Sequence, residues 1–222
     1  RTVAVVGVSR RRGGIGREIV ENIKGGGFAG RLLAVGHATL ALVDVDICAR
    51  INDLPEGLDL AIVCVPAADV LATVKGLATR QTRVCVIVTS GLAETGEAGR
   101  RTEQAIADVA HRAGMRVVGP NCFGVLSRVG GVALDATFGT QHPRSGRLAI
   151  GSQSGGVGIA LLAQSSHRDL GLSSFVSPGN TLAVWGNGLR APRAACPAVD
   201  CAALVLWSAG DQPSIARARA AP

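Results

Sequence analysis

The sequence contains no tyrosine, two tryptophans and four phenylalanines. Bases of single-stranded nucleic acid stack on aromatic rings interleaved with cations, and this chain has almost none to offer. A nucleic-acid partner is therefore not expected. Lysine is nearly absent too. Lys24 and Lys75 are the only two, so the net charge of +7 rests on arginine. Arginine grips phosphate with two parallel hydrogen bonds. Such a balance suits a phosphorylated small molecule, and the plainer reading is a solvated basic surface. The six cysteines are Cys48, Cys64, Cys85, Cys122, Cys196 and Cys201, with no C-x-x-C pair among them. No zinc framework follows, and no metal site is expected. Cys64 and Cys85 lie inside apolar runs and read as buried, reduced thiols, which suits the cytoplasm. No apolar run is long enough to span a bilayer, and no signal peptide is visible, so no membrane partner is expected. No methionine precedes Arg1, which suits a piece of a longer protein.

Glycine, by contrast, is plentiful: 30 of 222 residues, in a chain that is 47% hydrophobic. That suits an α/β protein with many strand-to-helix turns, in one large domain or two small ones. Thr2–Val6 is an apolar β run. Gly7-Val8-Ser9-Arg10-Arg11-Arg12-Gly13-Gly14-Ile15-Gly16 follows, then a helix with Ile15, Ile19 and Ile23 on one face, closed by Gly25-Gly26-Gly27. Strand, glycine-rich loop and helix form the first half of a Rossmann unit. The loop is longer than G-x-G-x-x-G and filled with arginine. Leu32–Val35 reads as a second strand, ending in Gly36-His37 where a dinucleotide site would place an acidic residue. Both features count against a NAD-type oxidoreductase and suit a ligand with extra phosphates. Val43 to Asn52 shows no pattern and reads as irregular. Leu58–Val65 is a central strand buried on both faces, ending in Pro66-Ala67-Ala68, with a helix from Asp69 to Leu77. Val84–Val88 is a fourth strand, ending in Thr89-Ser90-Gly91. Thr95–Ala113 is an amphipathic helix. Arg116–Val118 is a fifth strand, ending in Gly119-Pro120-Asn121-Cys122. Ligands bind outside the carboxyl ends of such strands, so these four loops should line one rim.

Periodicity is lost over 125–146, and Gln141–Gly146 reads as a linker and hinge. The expected division is 1–124, a linker over 125–146, and a second α/β unit over 147–222 that is incomplete at its C-terminus. Leu148–Ser152 reads as a strand. Ser152, Gln153, Ser154 and Gly155 make a tight polar turn, and a helix runs on to about Arg168. Free N–H groups and the positive helix end make this turn a seat for phosphate. The alternative is a helix start capped by its own serines. Leu172–Val176 and Ala202–Trp207 read as strands, and Pro213 as the opening of a last helix.

Six motifs stand in order: Gly7-x-Ser9 with its glycine loop, Val65-Pro66-Ala67, Ser90-Gly91-Leu92-Ala93-Glu94, Gly119-Pro120-Asn121-Cys122-x-Gly124, Ser152-Gln153-Ser154-Gly155 and Ser177-x-Gly179-Asn180. Together they resemble the nucleoside-diphosphate-forming acyl-CoA synthetases, the group of the succinyl-CoA synthetase α subunit. The resemblance implies a Rossmann-like CoA-binding domain followed by a flavodoxin-like, succinyl-CoA synthetase-like α/β domain. It implies CoA held by Gly7, Ser9, Arg10, Arg11, Arg12, Gly13, Gly14 and Ile15. Val65, Pro66, Ala67, Thr89, Ser90, Gly91 and Glu94 complete the rim, and Asn121 lies at the thiol end. It implies that Ser152, Gln153, Ser154 and Gly155 receive a phosphorylated histidine. The implied reaction joins an acid to CoA with a nucleoside triphosphate, through an acyl phosphate and a phosphohistidine. CoA or acyl-CoA is the ligand, ATP or ADP enters through an ATP-grasp partner domain or subunit, and an oligomer is expected.

The chain departs from the family pattern in places. Trp207 stands where an acidic residue is usual, Gly36-His37-Ala38-Thr39 replaces the usual Asn-Pro and basic residue, and Trp185-Gly186-Asn187-Gly188-Leu189 replaces Ser-Gly-Asn-Asp-Leu. His37, His111, His142 and His167 lie outside any phosphohistidine loop and read as surface or packing residues, so no catalytic residue is assigned. The alternative function is a non-catalytic CoA-sensing module, as some protein acetyltransferases carry.

Overall fold

The computed structural model describes residues 1–11, 13–36, 42–180, 201–206 and 214–219, the last two stretches as backbone strands. Six strands form the first sheet: β1 (Thr2–Val8), β2 (Arg31–Gly36), β3 (Asp46–Cys48), β4 (Leu60–Val63), β5 (Val84–Ile87) and β6 (Arg116–Val118). Their order is β3-β2-β1-β4-β5-β6, and every pairing is parallel. The chain therefore reverses direction of travel between β1 and β4, which opens the crevice where ligands bind in such sheets.

The central strands are buried on both faces because helices cover both. Val3 and Val5 of β1 face α1 (Ile15–Gly25), packing with Ile19, Val20 and Ile23. Ala4 and Val6 face the other way, toward Val70, Val74 and Leu77 of α2 (Ala67–Thr79) and Ile106 of α3 (Glu97–Arg112). This is why the strands read as unbroken apolar runs rather than as alternation.

The second sheet has the order β12-β11-β9-β10-β7-β8. Its members are β7 (Gly124–Ser127), β8 (Leu134–Thr137), β9 (Ser145–Ser152), β10 (Leu172–Ser177), β11 (Cys201–Leu206) and β12 (Ser214–Arg219), with α4 (Gly155–His167) following β9. β9 lies parallel to β10 and β11, while β7, β8 and β12 run antiparallel to their neighbours.

Three expectations need correction. The stretch from Val43 to Asn52 is not irregular throughout. It holds β3 and the start of a 3-10 turn at Ile51–Asp53. A three-residue edge strand is too short to show a period, and its Asp46 carboxylate is paired outward with Arg31 Nε at 2.7 Å. The stretch 125–146 is not a structureless linker. It holds most of β7, all of β8 and the start of β9, each hydrogen-bonded into the second sheet. The signal was hidden by Asp135, a carboxylate with no exposure inside β8. Thr137 donates to it through Oγ1 at 2.8 Å, and His142 Nδ1 lies 3.2 Å away. Finally, the residues after Pro213 form a strand, not a helix. Its last four residues, Ala216-Arg217-Ala218-Arg219, alternate with the period of two of a strand, and the segment pairs antiparallel with β11. Pro213 itself lies outside the described residues, as do Arg12, His37-Ala38-Thr39, Trp185–Leu189 and Trp207.

β8 also touches the first unit. Leu134 and Ala136 join the α1 core, and Asn22 Nδ2 of α1 donates to the carbonyls of Thr137 and Gly139 at 2.8 Å each. Arg128 donates to Gly26 O at 2.7 Å. The two sheets thus share α1.

Candidate functional site

The site begins where β1 ends. Gly7 has φ +94, and a Cβ there would stand 2.7 Å from the Cys64 carbonyl carbon of the neighbouring strand exit. Gly16 in the first turn of α1 is similarly bare, with Gly7 O only 2.8 Å from where its Cβ would be. Helix and strand approach closely because neither carries a side chain at the crossing. The N-cap of α1 is Gly14, and no side chain caps it. Helix starts of this kind, with first-turn N–H groups that no side chain caps, are where proteins bind phosphate. Ser9, Arg10, Arg11 and Gly13 are exposed in the loop above.

A cavity of about 990 Å3 lies between the two units. From the first unit it takes Ile15, Val65, Pro66, Ala67, Thr89, Ser90 and Asn121, and from the second Gln153, Ser154, Gly155 and Gly156. The rim is tied together: Thr89 Oγ1 donates to Val65 O at 2.7 Å, and Asn121 N donates to Thr89 O at 2.9 Å. Asn121 sits in the left-handed region at φ +55, where asparagine is the best tolerated residue after glycine. The apolar part of the wall is Cys122, Phe123, Phe138 and Ile159. Ile15 and Ile159, 45% and 43% exposed, both face this space.

The expected site residues fall in five places. Ile15, Val65, Pro66, Ala67, Thr89, Ser90, Asn121, Gln153, Ser154 and Gly155 come together in the cavity. Gly7 lies just outside and lines a second recess of about 470 Å3 with Val65, Arg50 and Asn52. Ser9, Arg10, Arg11 and Gly13 are exposed in the loop between β1 and α1, and Gly14 is half-buried at its end. Gly91 and Glu94 build a turn beside the cleft, with Gly91 N donating to Glu94 Oε1 at 2.8 Å and Leu92 N to Oε2 at 3.1 Å. Burial works against charge on Glu94. Hydrogen bonds from its own N–H, Gly91, Asn180 and Leu92 outweigh that and hold the carboxyl below its ordinary value. Ser152 is fully buried and gives its hydroxyl to Ser154 O at 2.8 Å, so it shapes the turn from beneath. Ser154 accepts from Val157 N at 3.4 Å, so it also caps α4. The capping reading is correct for this serine, and the turn still faces the cavity.

Sequence reasoning missed Arg50 and Asn52, because the short β3 that carries the chain into the recess went unread. It also missed Phe138 and Ile159, which no local pattern marks. Two thiols of the cleft wall, Cys64 and Cys122, and the buried Cys85 beneath them are held toward the protonated form. Burial and the neighbouring thiols push Cys64 far up and Cys85 to about 12. Burial also takes Cys122 to about 12 against opposing backbone hydrogen bonds.

The family description "CoA binding domain" matches residues 1–128, and "Succinyl-CoA ligase like flavodoxin domain" matches residues 145–221. The α subunit of an ADP-forming acetate–CoA ligase from Pyrococcus furiosus is 35% identical over 184 residues, which are 81% of this chain and 39% of that protein. An ADP-forming 4-hydroxybutyrate–CoA ligase from Nitrosopumilus maritimus is 32% identical over 180 residues, 81% of this chain and 26% of that protein. The chain thus spans well under half the length of these relatives. The solved structure of a Korarchaeum cryptofilum dinucleotide-forming acetyl-CoA synthetase, in complex with phosphate and ADP, superposes with a TM-score of 0.87 at 32% identity. The match covers 94% of this chain and 44% of that one. The cleft between a parallel sheet and a Ser-Gln-Ser-Gly helix start, the two matched domains in sequence and the relatives agree: this chain belongs to the NDP-forming acyl-CoA synthetase family, as its CoA-binding and flavodoxin-like ligase domains.

Proposed function

We propose that the chain binds CoA and forms the CoA-binding and ligase portion of an NDP-forming acyl-CoA synthetase, which makes acyl-CoA from an acid, CoA and a nucleoside triphosphate. The carrying observation is the single cavity that unites the first-unit rim with the Gln153–Gly156 helix start. A thiol at Asn121 and a phosphorylated group at Ser154 would share one space. The uncapped start of α1 and the exposed Arg10 and Arg11 fit the phosphates of CoA. The recess beside Gly7, Arg50 and Asn52 fits its nucleotide end.

ATP and ADP are used at a site on an ATP-grasp partner domain or subunit, in the cytoplasm, within an oligomer. Support for the partner comes from the relatives, one of which is an α subunit and others of which are much longer chains. No helix among the described residues is long and apolar enough to cross a membrane.

Titration calorimetry with CoA, dephospho-CoA and NAD tests this reading. CoA is expected to bind more tightly than NAD. Dephospho-CoA is expected to bind more weakly than CoA by about 1–3 kcal/mol, the worth of a charge-assisted hydrogen bond. Tighter binding of NAD would overturn the CoA reading. Equal binding of CoA and dephospho-CoA would remove the role given to the loop arginines.

A further inference from the structure

The two units meet at a turn that does more than close a gap. Pro178–Asn180, just past β10, lies against Gly119–Asn121, just past β6. Gly119 N donates to Pro178 O at 3.2 Å, and Asn180 N donates to Pro120 O at 2.9 Å. Gly179 has φ +60, and a Cβ there would overlap the Pro120 carbonyl oxygen. The backbones are therefore in direct contact, and the Asn180 side chain is delivered to a fixed place.

At that place stand two carboxylates. Asn180 Nδ2 donates to Glu103 Oε1 at 2.7 Å and to Glu94 Oε2 at 3.0 Å. Glu103 is only 7% exposed on α3, and its Oε1 also accepts from Ala93 N at 3.0 Å. An amide has one NH2 edge and one carbonyl edge. Turned over, Asn180 would present its oxygen to two carboxylates, so its orientation is dictated by them. Its Oδ1 consequently faces Asn121, whose Nδ2 donates to it at 3.4 Å. That in turn sets the orientation of Asn121, a residue of the cavity wall whose own Oδ1 takes no part in this bond.

We propose that Asn180 is a positioning residue: it relays the Glu94–Glu103 pair to Asn121, fixing that amide with its oxygen toward the pantetheine arm of CoA. The relay rests on the CoA reading above. It assigns Asn121 a ligand group that donates, an amide N–H or the thiol S–H, rather than one that accepts. Neither carboxylate is among the residues lining the cavity. Both act through the second unit, so the thiol end of the site is complete only when the two units are docked.

The test is titration of the chain with CoA and with adenosine 3′,5′-bisphosphate, which keeps the nucleotide end and lacks the arm. Asn180→Ala is expected to weaken CoA by about tenfold, the worth of one oriented hydrogen bond, and to leave the bisphosphate unchanged. Asn180→Asp is expected to be worse, since it sets a third carboxylate against two. An equal loss for both ligands, or no loss for CoA, overturns the relay. If the unsubstituted chain binds neither ligand, the CoA reading fails instead. The relay is then judged by a melting-temperature double-mutant cycle of Asn180→Ala with Glu103→Gln. Coupled losses support it, and additive losses overturn it.

Discussion

Glu94 shows how an exposed carboxylate can hold a turn. It accepts from Gly91 N, Leu92 N and Asn180 Nδ2, and these bonds favour the charged form. Its pKa is lowered from an ordinary value of 4.5, so folding gains from its charge above that value. The gain is lost as pH falls through the lower folded value. Glu94→Gln should therefore be less stable than the unsubstituted chain at neutral pH and indistinguishable from it in strong acid. The side chain is exposed, so the difference should stay below about 1 kcal/mol. Denaturant melts at a series of pH values measure it, and a constant difference across the series would rule out this role. The same residue shows what sequence can and cannot deliver. Its motif placed it at the rim, but its partner Asn180 is 86 residues away, and nothing local announces that pairing. Asn121 was legible for the opposite reason, since a strand end in a parallel sheet is where ligands bind.

Helix α1 rests on β1 through a crossing of two glycines. Gly16→Ala would place a methyl 2.8 Å from Gly7 O, which is backbone and cannot swing aside. The helix must back away, and the cost should be about 1–3 kcal/mol. Gly25→Ala, in the last turn of the same helix with nothing within 4 Å, is the control. It should be neutral or stabilising by about 0.5–1 kcal/mol. Unfolding midpoints read both, and equal effects would mean that the close approach does not matter. The long elements were legible in the sequence. β1, β4 and β5 carry apolar runs buried on both faces, and α1 repeats isoleucine every fourth residue. The short ones were not. β3 has three residues, and β8 has four, one of them the buried Asp135. Such strands exist because neighbours supply their hydrogen bonds, not because their own residues demand it.

At the scale of the whole molecule, the two sheets are not independent. Leu134 and Ala136 of β8 pack into the same cluster as Val3, Val5, Ile19 and Ile23. The connector beyond β8 is pinned as well, with Phe138 packed on Phe123 at 4.5 Å between ring centroids and Arg144 Nε bonded to Asp169 Oδ1 at 2.6 Å. Heating should therefore give one cooperative transition, with far-UV and near-UV circular dichroism changing together. Two separated transitions would mean that the α1–β8 contact contributes little. The choice of facing surfaces was the least legible level. Phe138 and Ile159 become cavity wall only because one unit turns that side to the other, and that choice is distributed over all the residues of the contact. The β7–β8 hairpin has a further consequence. It follows the first unit along the chain but is hydrogen-bonded into the second sheet and packed on α1. A single cut between Thr140 and Gln141 would thus sever the backbone without parting the halves. Each piece would hold strands that the other completes, as two fragments of one gene product that reassemble without a covalent link.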